Sequence, residues 1–337
     1  MQNVATPRFY VDLGQYLMAI GYKFEYAEQE LTPDQIHLMS LTPSKQIIST
    51  FESGIRHYPM IPRVSPIKYC AFLGHSVTET YRYFYPVWYD HTIGGDNNSQ
   101  LQTTNTMTIN PAPFSSLPND TAPEKGWSLW TFEDEPEKNW LFGVFSPINK
   151  IGAISIGDYY DMPNSPDLSL TMSYEMDGIK EITTKGGASL SNMTYYKPAD
   201  WGDVGAWQIG DDEDGNPLSN IRAGRRVWNL SFSYVADSDL MPKVAATSNI
   251  DAWTNNYNVD GDTSENTLLE GTDFFSMVWN RTLGGHLKFI FNPAGGGTSP
   301  NNNPDQFAIC KFDMNSLQYK QVAHKVYDVK LKIREVW

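Results

Sequence analysis

Hydrophobic and polar side chains alternate without a break from Trp228 to Tyr234, with Trp228, Leu230, Phe232 and Tyr234 set against Asn229, Ser231 and Ser233. Successive side chains of a strand point to opposite faces, so this period predicts a β-strand carrying four large hydrophobes on one side. Arg225 and Arg226 mark its entry, and Asp237, Ser238, Asp239 and Pro242 its exit. A second alternation closes the chain, with Tyr327, Val329, Leu331 and Ile333 against Asp328, Lys330, Lys332 and Arg334. It predicts a C-terminal strand tied into a sheet. Shorter runs predict strands at 67–73, 154–156, 168–174 and 179–182, and within HLKFIFNP (286–293) and FAICKFD (307–313). Met-Pro and Ser-Pro steps, and a turn at Met176, Asp177 and Gly178, make the runs of 151–190 read as a meander of antiparallel strands. Tyr81, Tyr83 and Tyr85 alternate with Arg82 and Phe84 until Pro86 ends the pattern.

Helical spacing is rarer. Asp12 is placed to cap a short helix on which Leu13, Tyr16, Leu17 and Ile20 recur at i, i+3, i+4 and i+7 before Gly21. Residues 4–12 ahead of it read as an extended arm, and the helix as a clip packed on the main sheet. Thr32-Pro33 and Thr42-Pro43 mark turns or helix starts. Thr272 is expected to cap a second helix, DFFSMVWNRTL (273–283), closed by Gly284 and Gly285. Its Phe274 and Val278, and its Phe275 and Trp279, sit four apart and define a buried stripe.

The elements add up to an all-β chain: an antiparallel β-sandwich with short helices and a long insertion. Residues 1–93 supply the arm, the short helix and the first strands. Residues 94–142 are polar and turn-rich around a strand-like TNTMTIN (104–110), and read as an insertion or peripheral excursion. Residues 143–337 form the main sandwich domain. An aromatic share of 13%, with 25 Gly and 21 Pro, supports this class, because aromatics suit pleated surfaces and the breakers favour many turns.

Charge narrows the partners. With 25 Lys and Arg against 39 Asp and Glu the chain carries −14. Phosphate contacts dominate nucleic-acid affinity, so sequence-specific binding to nucleic acid is not expected. An acidic surface instead suits a passage through which DNA slides without sticking. Cys70 and Cys310 have no pairing motif and read as two reduced, buried thiols. The N-terminus lacks a basic segment followed by an apolar run, so no signal peptide is expected. No stretch approaches the ~18 apolar residues of a membrane helix.

Catalytic chemistry finds little foothold. The six histidines are scattered, without zinc-ligand spacing. DDEDGN (211–216) and DGDTSE (260–265) lack the order of a calcium loop and read as solvated turns. The glycine run 294–299 has neither the lysine nor the helix of a phosphate loop, and reads as a hairpin tip. No GxSxG occurs. The expectation is a protein with no catalytic residue, cofactor or metal ligand.

Several phrases together resemble a structural tail protein of tailed bacteriophages, of the distal tail or baseplate ring type. They are ATPRFYVD (5–12), GDYYDMPNSPDLSL (157–170), DGIKEITTKGGASLSN (177–192), GRRVWNLSFSYVADSD (224–239), FFSMVWNRTLGGHLKFIFNP (274–293), NPDQFAI (303–309) and VYDVKLKIREVW (326–337). The resemblance implies a virion protein, assembled in the bacterial host cytoplasm, that forms a homo-oligomeric ring between the tail tube and tip or fibre proteins. Its copies would meet through edge strands. The candidate contacts are Phe9, Tyr10 and Val11 on the arm and Tyr327, Val329, Leu331 and Ile333 on the last strand. Removing residues 1–12 would then leave a folded monomer without rings. Two other readings stand beside it. One is a capsid or capsid-decoration jelly roll. The other is a carbohydrate-binding module or glycosidase that stacks glycans on Trp127, Trp130 and Trp140, with Trp201 and Trp207 as further platforms.

Overall fold

The computed structural model describes residues 5–22, 25–26, 29–30, 32–43, 47–48, 60–61, 67–75, 110–111, 126–131, 140–141, 150–175, 179–193, 225–242, 271–302 and 306–336. The tyrosine run 81–85, the acidic stretches 211–216 and 260–265, Trp201 and Trp207 lie outside these residues. The longer strands are β1 (Ala5–Asp12), β2 (Tyr69–His75), β3 (Gly126–Thr131), β4 (Ala153–Asp161), β5 (Thr171–Glu175), β6 (Ile179–Thr183), β7 (Ser189–Met193), β8 (Arg225–Ala236), β9 (Phe289–Gly297), β10 (Ala308–Phe312), β11 (Tyr319–Ala323) and β12 (Val326–Glu335). Among the described residues helices are few and short: α1 (Leu13–Ala19), α2 (Pro33–His37), α3 (Asp237–Leu240) and a π-helix (Phe275–Asn280). The all-β, antiparallel class expected from the alternation is the class observed.

Eleven strands share one sheet, in the order β5-β8-β12-β10-β9-β1-β4-β2-β3 and then Asn110–Pro111, with β11 also paired to β12. Period two then sorts the side chains into two cores. Phe9 and Val11 join one cluster and Tyr10 the other; Phe289 and Phe291 join the first and Ile290 the second. Ala308, Cys310 and Phe312 likewise oppose Phe307 and Ile309. Strands β1, β9 and β10 are therefore apolar on both faces, which a central strand needs. The π-helix closes the first cluster with Phe274, Met277 and Val278. Cys70 and Cys310 are free and buried, as expected.

The arm is the middle of the sheet. Both edges of β1 are occupied, by β4 with Phe9 opposite Tyr160 and by β9 with Phe9 opposite Phe291. Asp12 accepts the Gln15 amide at 2.8 Å and caps α1, which buries Leu13, Tyr16 and Leu17. Gly157 faces this junction, where a Cβ would lie 2.1 Å from the Val11 carbonyl oxygen, so only glycine lets the two backbones meet. The glycine run is no free hairpin tip: Gly296 and Gly297 pair with Thr6 and Ala5. A Cβ on Gly296 would press into the Asp161 carboxylate at 2.6 Å and the Thr6 hydroxyl at 2.7 Å.

Other expectations change. The runs of 151–190 do not form a meander: β4 pairs β1 and β2, β5 pairs β8, and β6 with β7 is a separate hairpin. Part of the expected excursion 94–142 belongs to the main sheet, since β3 pairs with β2 from Tyr69 opposite Thr131 to Leu73 opposite Trp127. With β1 at its centre, the sheet unites the segments 1–93 and 143–337. Alternation in β8 holds to Phe232 and then breaks at a bulge before Val235. Tyr234 takes a φ of 58° and turns out to solvent at 75% exposure, while Val235 is fully buried in its place. Asp273 rather than Thr272 receives the Ser276 amide, at 2.9 Å, and the Ser276 hydroxyl, at 2.7 Å. The helix is wound as a π-helix, with Phe275 and Trp279 only half buried.

Candidate functional site

The seven residues expected at subunit contacts lie inside the chain's own fold. Phe9, Tyr10 and Val11 are buried, as are Val329, Leu331 and Ile333, and Tyr327 packs half-buried against the first core. One edge of β12 is taken by β8 and the other by β10 and β11. No ladder of hydrogen-bonding groups is left on β1 or β12 for another chain, so the edge pairing expected of them is corrected: both complete the monomer's sheet. Trp127 and Trp130 lie on β3 and Trp140 on a short strand paired with Met60 and Ile61. Their side chains fall outside the described residues.

The polar groups brought together are internal fasteners. Arg8 grips Asp161 through Nε and, at 2.7 Å, through Nη2, and its guanidinium lies 4.1 Å over the Tyr159 ring. The pair spans the β1–β4 ladder, where Arg8 is directly opposite Asp161. Arg226 and Glu335, both almost fully buried, exchange Nε to Oε2 at 3.0 Å and Nη2 to Oε1 at 3.1 Å. Asp158 is held by Lys68 at 3.4 Å; burial pushes its carboxyl up, and Lys68 and Arg281 draw it part of the way back. Burial also lowers the Arg281 guanidinium. Both thiols are pushed well above their ordinary range by burial, which leaves them poor nucleophiles and poor ligands. Among the described residues no three His, Cys, Asp or Glu side chains gather as a metal site. No described helix is long and apolar enough to cross a membrane.

Burial moves the titration of the Asp12 carboxyl into the neutral range. Burial pushes it up to about 7, partly offset by the Ser155 hydroxyl and the Gln15 amide. A carboxyl whose pKa is raised by folding stabilises most when protonated. That contribution is full below about pH 4 and is lost as pH rises to about 7. Asp12→Asn keeps a capping oxygen and removes the ionisation. Relative to the wild type it will gain about 2–3 kcal/mol between pH 5 and pH 8 in urea unfolding. An offset that does not change over that range would contradict the assignment.

Open surface is concentrated at one end of the sheet. Leu168 is fully exposed, and Leu170, Met172 and Tyr174 are each about half exposed. They lie on or just before β5, which pairs only with β8 among the described residues. Met172 stands opposite Trp228 and Tyr174 opposite Arg226, so these side chains continue the face that Trp228 buries. Trp228 is 2% exposed and Met172 49%. Among the described residues the covering layer ends one strand before the sheet does. Sequence reasoning placed this run in a meander of antiparallel strands; alternation reports two faces but not whether a second layer reaches them.

No family model, curated protein or solved structure matches the chain. The candidate site therefore rests on geometry. It is a sheet edge with an apolar ledge, which presents backbone hydrogen-bonding groups and exposed apolar side chains.

Proposed function

We propose that the chain is a non-enzymatic virion structural protein, a homo-oligomeric ring component of a bacteriophage tail at the distal end or baseplate, joining the tail tube to tip or fibre proteins. One observation carries this reading. Apart from the hairpin phrase 177–192, the phrases that resemble such proteins fall on strands that are neighbours in space, in the order β8-β12-β10-β9-β1-β4. The likeness thus follows a contiguous structural unit rather than scattered segments. A charge of −14 suits a wall past which DNA moves, and the ledge on β5 gives such a protein a surface to spend on neighbours.

Native mass tests it first. Light scattering on the purified protein is expected to give a ring of about six 38.1 kDa subunits, whereas a strict monomer overturns the ring. Labelled antibody is expected at the tail tip in electron micrographs. Label spread over the head would replace this reading with the capsid one.

A further inference from the structure

We infer that a second copy of this chain pairs with it along β5, edge strand to edge strand and antiparallel, with Leu170, Met172 and Tyr174 of the two copies forming a shared apolar seam. The inference rests on the oligomeric reading above and names a surface for it.

Three observations choose this occupant. First, among the described residues the edge is unprotected. Residues 168–174 contain no charge and no proline, and the β5–β8 register runs unbroken from Thr171 to Glu175. Natural edges usually carry a lysine, a proline or a bulge that stops another strand from adding. The strand is also held ready: the Asp167 amide donates to the Ser231 carbonyl at 2.8 Å, and the Ser233 hydroxyl to Asp167 Oδ2 at 2.8 Å. Its backbone is therefore ordered before a partner arrives, which lowers the entropy cost of pairing.

Second, the pattern matches itself. In an antiparallel pairing centred on any residue, even-numbered positions meet even-numbered ones. Leu170, Met172 and Tyr174 thus always face one another, and the hydroxyl residues Thr171 and Ser173 do the same. Centred on Ser173, Glu175 meets Thr171; centred on Met172, it meets Ser169. In neither register does it face another carboxylate.

Third, charge selects the place. Two copies at −14 each repel over most of their surfaces. At β5 the nearest carboxylate, Glu175, is already paired with Arg334. The apolar ledge is covered at the same time, as monomers rarely leave such a patch open. The contact is isologous, so it closes at two copies and joins either a pair of chains or two rings face to face; the ring itself closes through other surfaces.

The test uses the full chain. Cys70 and Cys310 are buried and free, so a cysteine introduced by Ser173→Cys or Thr171→Cys offers an accessible thiol against a quiet background. In the purified protein under mild oxidation, Ser173→Cys alone is expected to form covalent dimers on a non-reducing gel if the pairing centres on Ser173, and a mixture of Ser173→Cys and Thr171→Cys if it centres on Met172. Met172→Lys, at a half-exposed position, is expected to keep its melting temperature and to raise the dissociation constant of pairing about tenfold or more. If the wild type assembles and Met172→Lys, still folded, assembles with the same mass, the edge inference is overturned and the ring reading survives. A wild type that stays monomeric at high concentration overturns both. An introduced thiol that remains reactive in the purified protein and is shielded only in assembled particles assigns the ledge to a different protein, and also overturns self-pairing.

Discussion

A chain lacking residues 1–12 will fail to fold, rather than fold and fail to assemble. β1 is the strand on which β4 and β9 both depend, and the contact of β1 with β9 joins residues nearly the whole chain apart. Its Phe9 is fully buried among Phe291, Phe289, Phe274 and Phe312, with ring centroids 5.1 to 6.0 Å away. Phe9→Ala alone is expected to cost about 3–5 kcal/mol, from lost burial plus the cavity left behind. That is a large share of the about 5–15 kcal/mol by which folded domains are stable. Urea unfolding followed by tryptophan fluorescence measures it. A truncated protein with native near-ultraviolet circular dichroism would show that β1 is dispensable.

Glu335→Ala is expected to cost about 3–5 kcal/mol, because it strands the Arg226 guanidinium in the core. Arg226 is 3% exposed and Glu335 4%. Besides the paired guanidinium, Glu335 Oε2 accepts the Arg226 backbone amide at 3.0 Å, so the substitution orphans that donor too. Arg226 keeps the bond from Nη2 to the Phe307 carbonyl at 2.6 Å, and lies 5.0 Å over the Trp228 ring. Neither neutralises the charge. Replacing both partners, with Arg226→Met and Glu335→Leu, should recover the part of the loss that comes from the buried charge, while the backbone amide of residue 226 stays without its acceptor. If the double variant is as unstable as the single one, the damage comes from packing and the orphaned amide and not from the uncompensated charge.

Local pattern was enough wherever one side chain's neighbours in sequence decide its surroundings. The strands at β8 and β12 follow from their alternation, those at β9 and β10 from short apolar runs, and the Asp12 cap from an oxygen placed three residues before an orphan amide. What escaped is non-local. Nothing in RFYVD says that its two edges will be met by residues 157–161 and 289–292, so an arm and a central strand look alike. The alternation through Tyr234 is unbroken in sequence, yet the bulge inserts there, and a bulge is set by how two strands keep register. Leu168, Leu170, Met172 and Tyr174 read as one strand of a meander, and alternation cannot report where the opposing layer stops. The candidate site was thus visible as a strand and hidden as a surface.

The position of β1 also sets a timetable. A ribosome adds about 5–20 residues per second, so β1 emerges roughly 15–60 s before the β9 strand that covers one of its edges. Throughout that interval Phe9, Tyr10 and Val11 have no permanent neighbours on that side, and the first core cannot close. Folding therefore waits for nearly the entire chain, and the slow, non-local pairing that follows is of the kind that gives β proteins their low folding rates. Cells making this protein must keep its first strand from meeting the first strand of another nascent chain, and a chaperone that holds extended apolar segments would shorten its list of wrong partners.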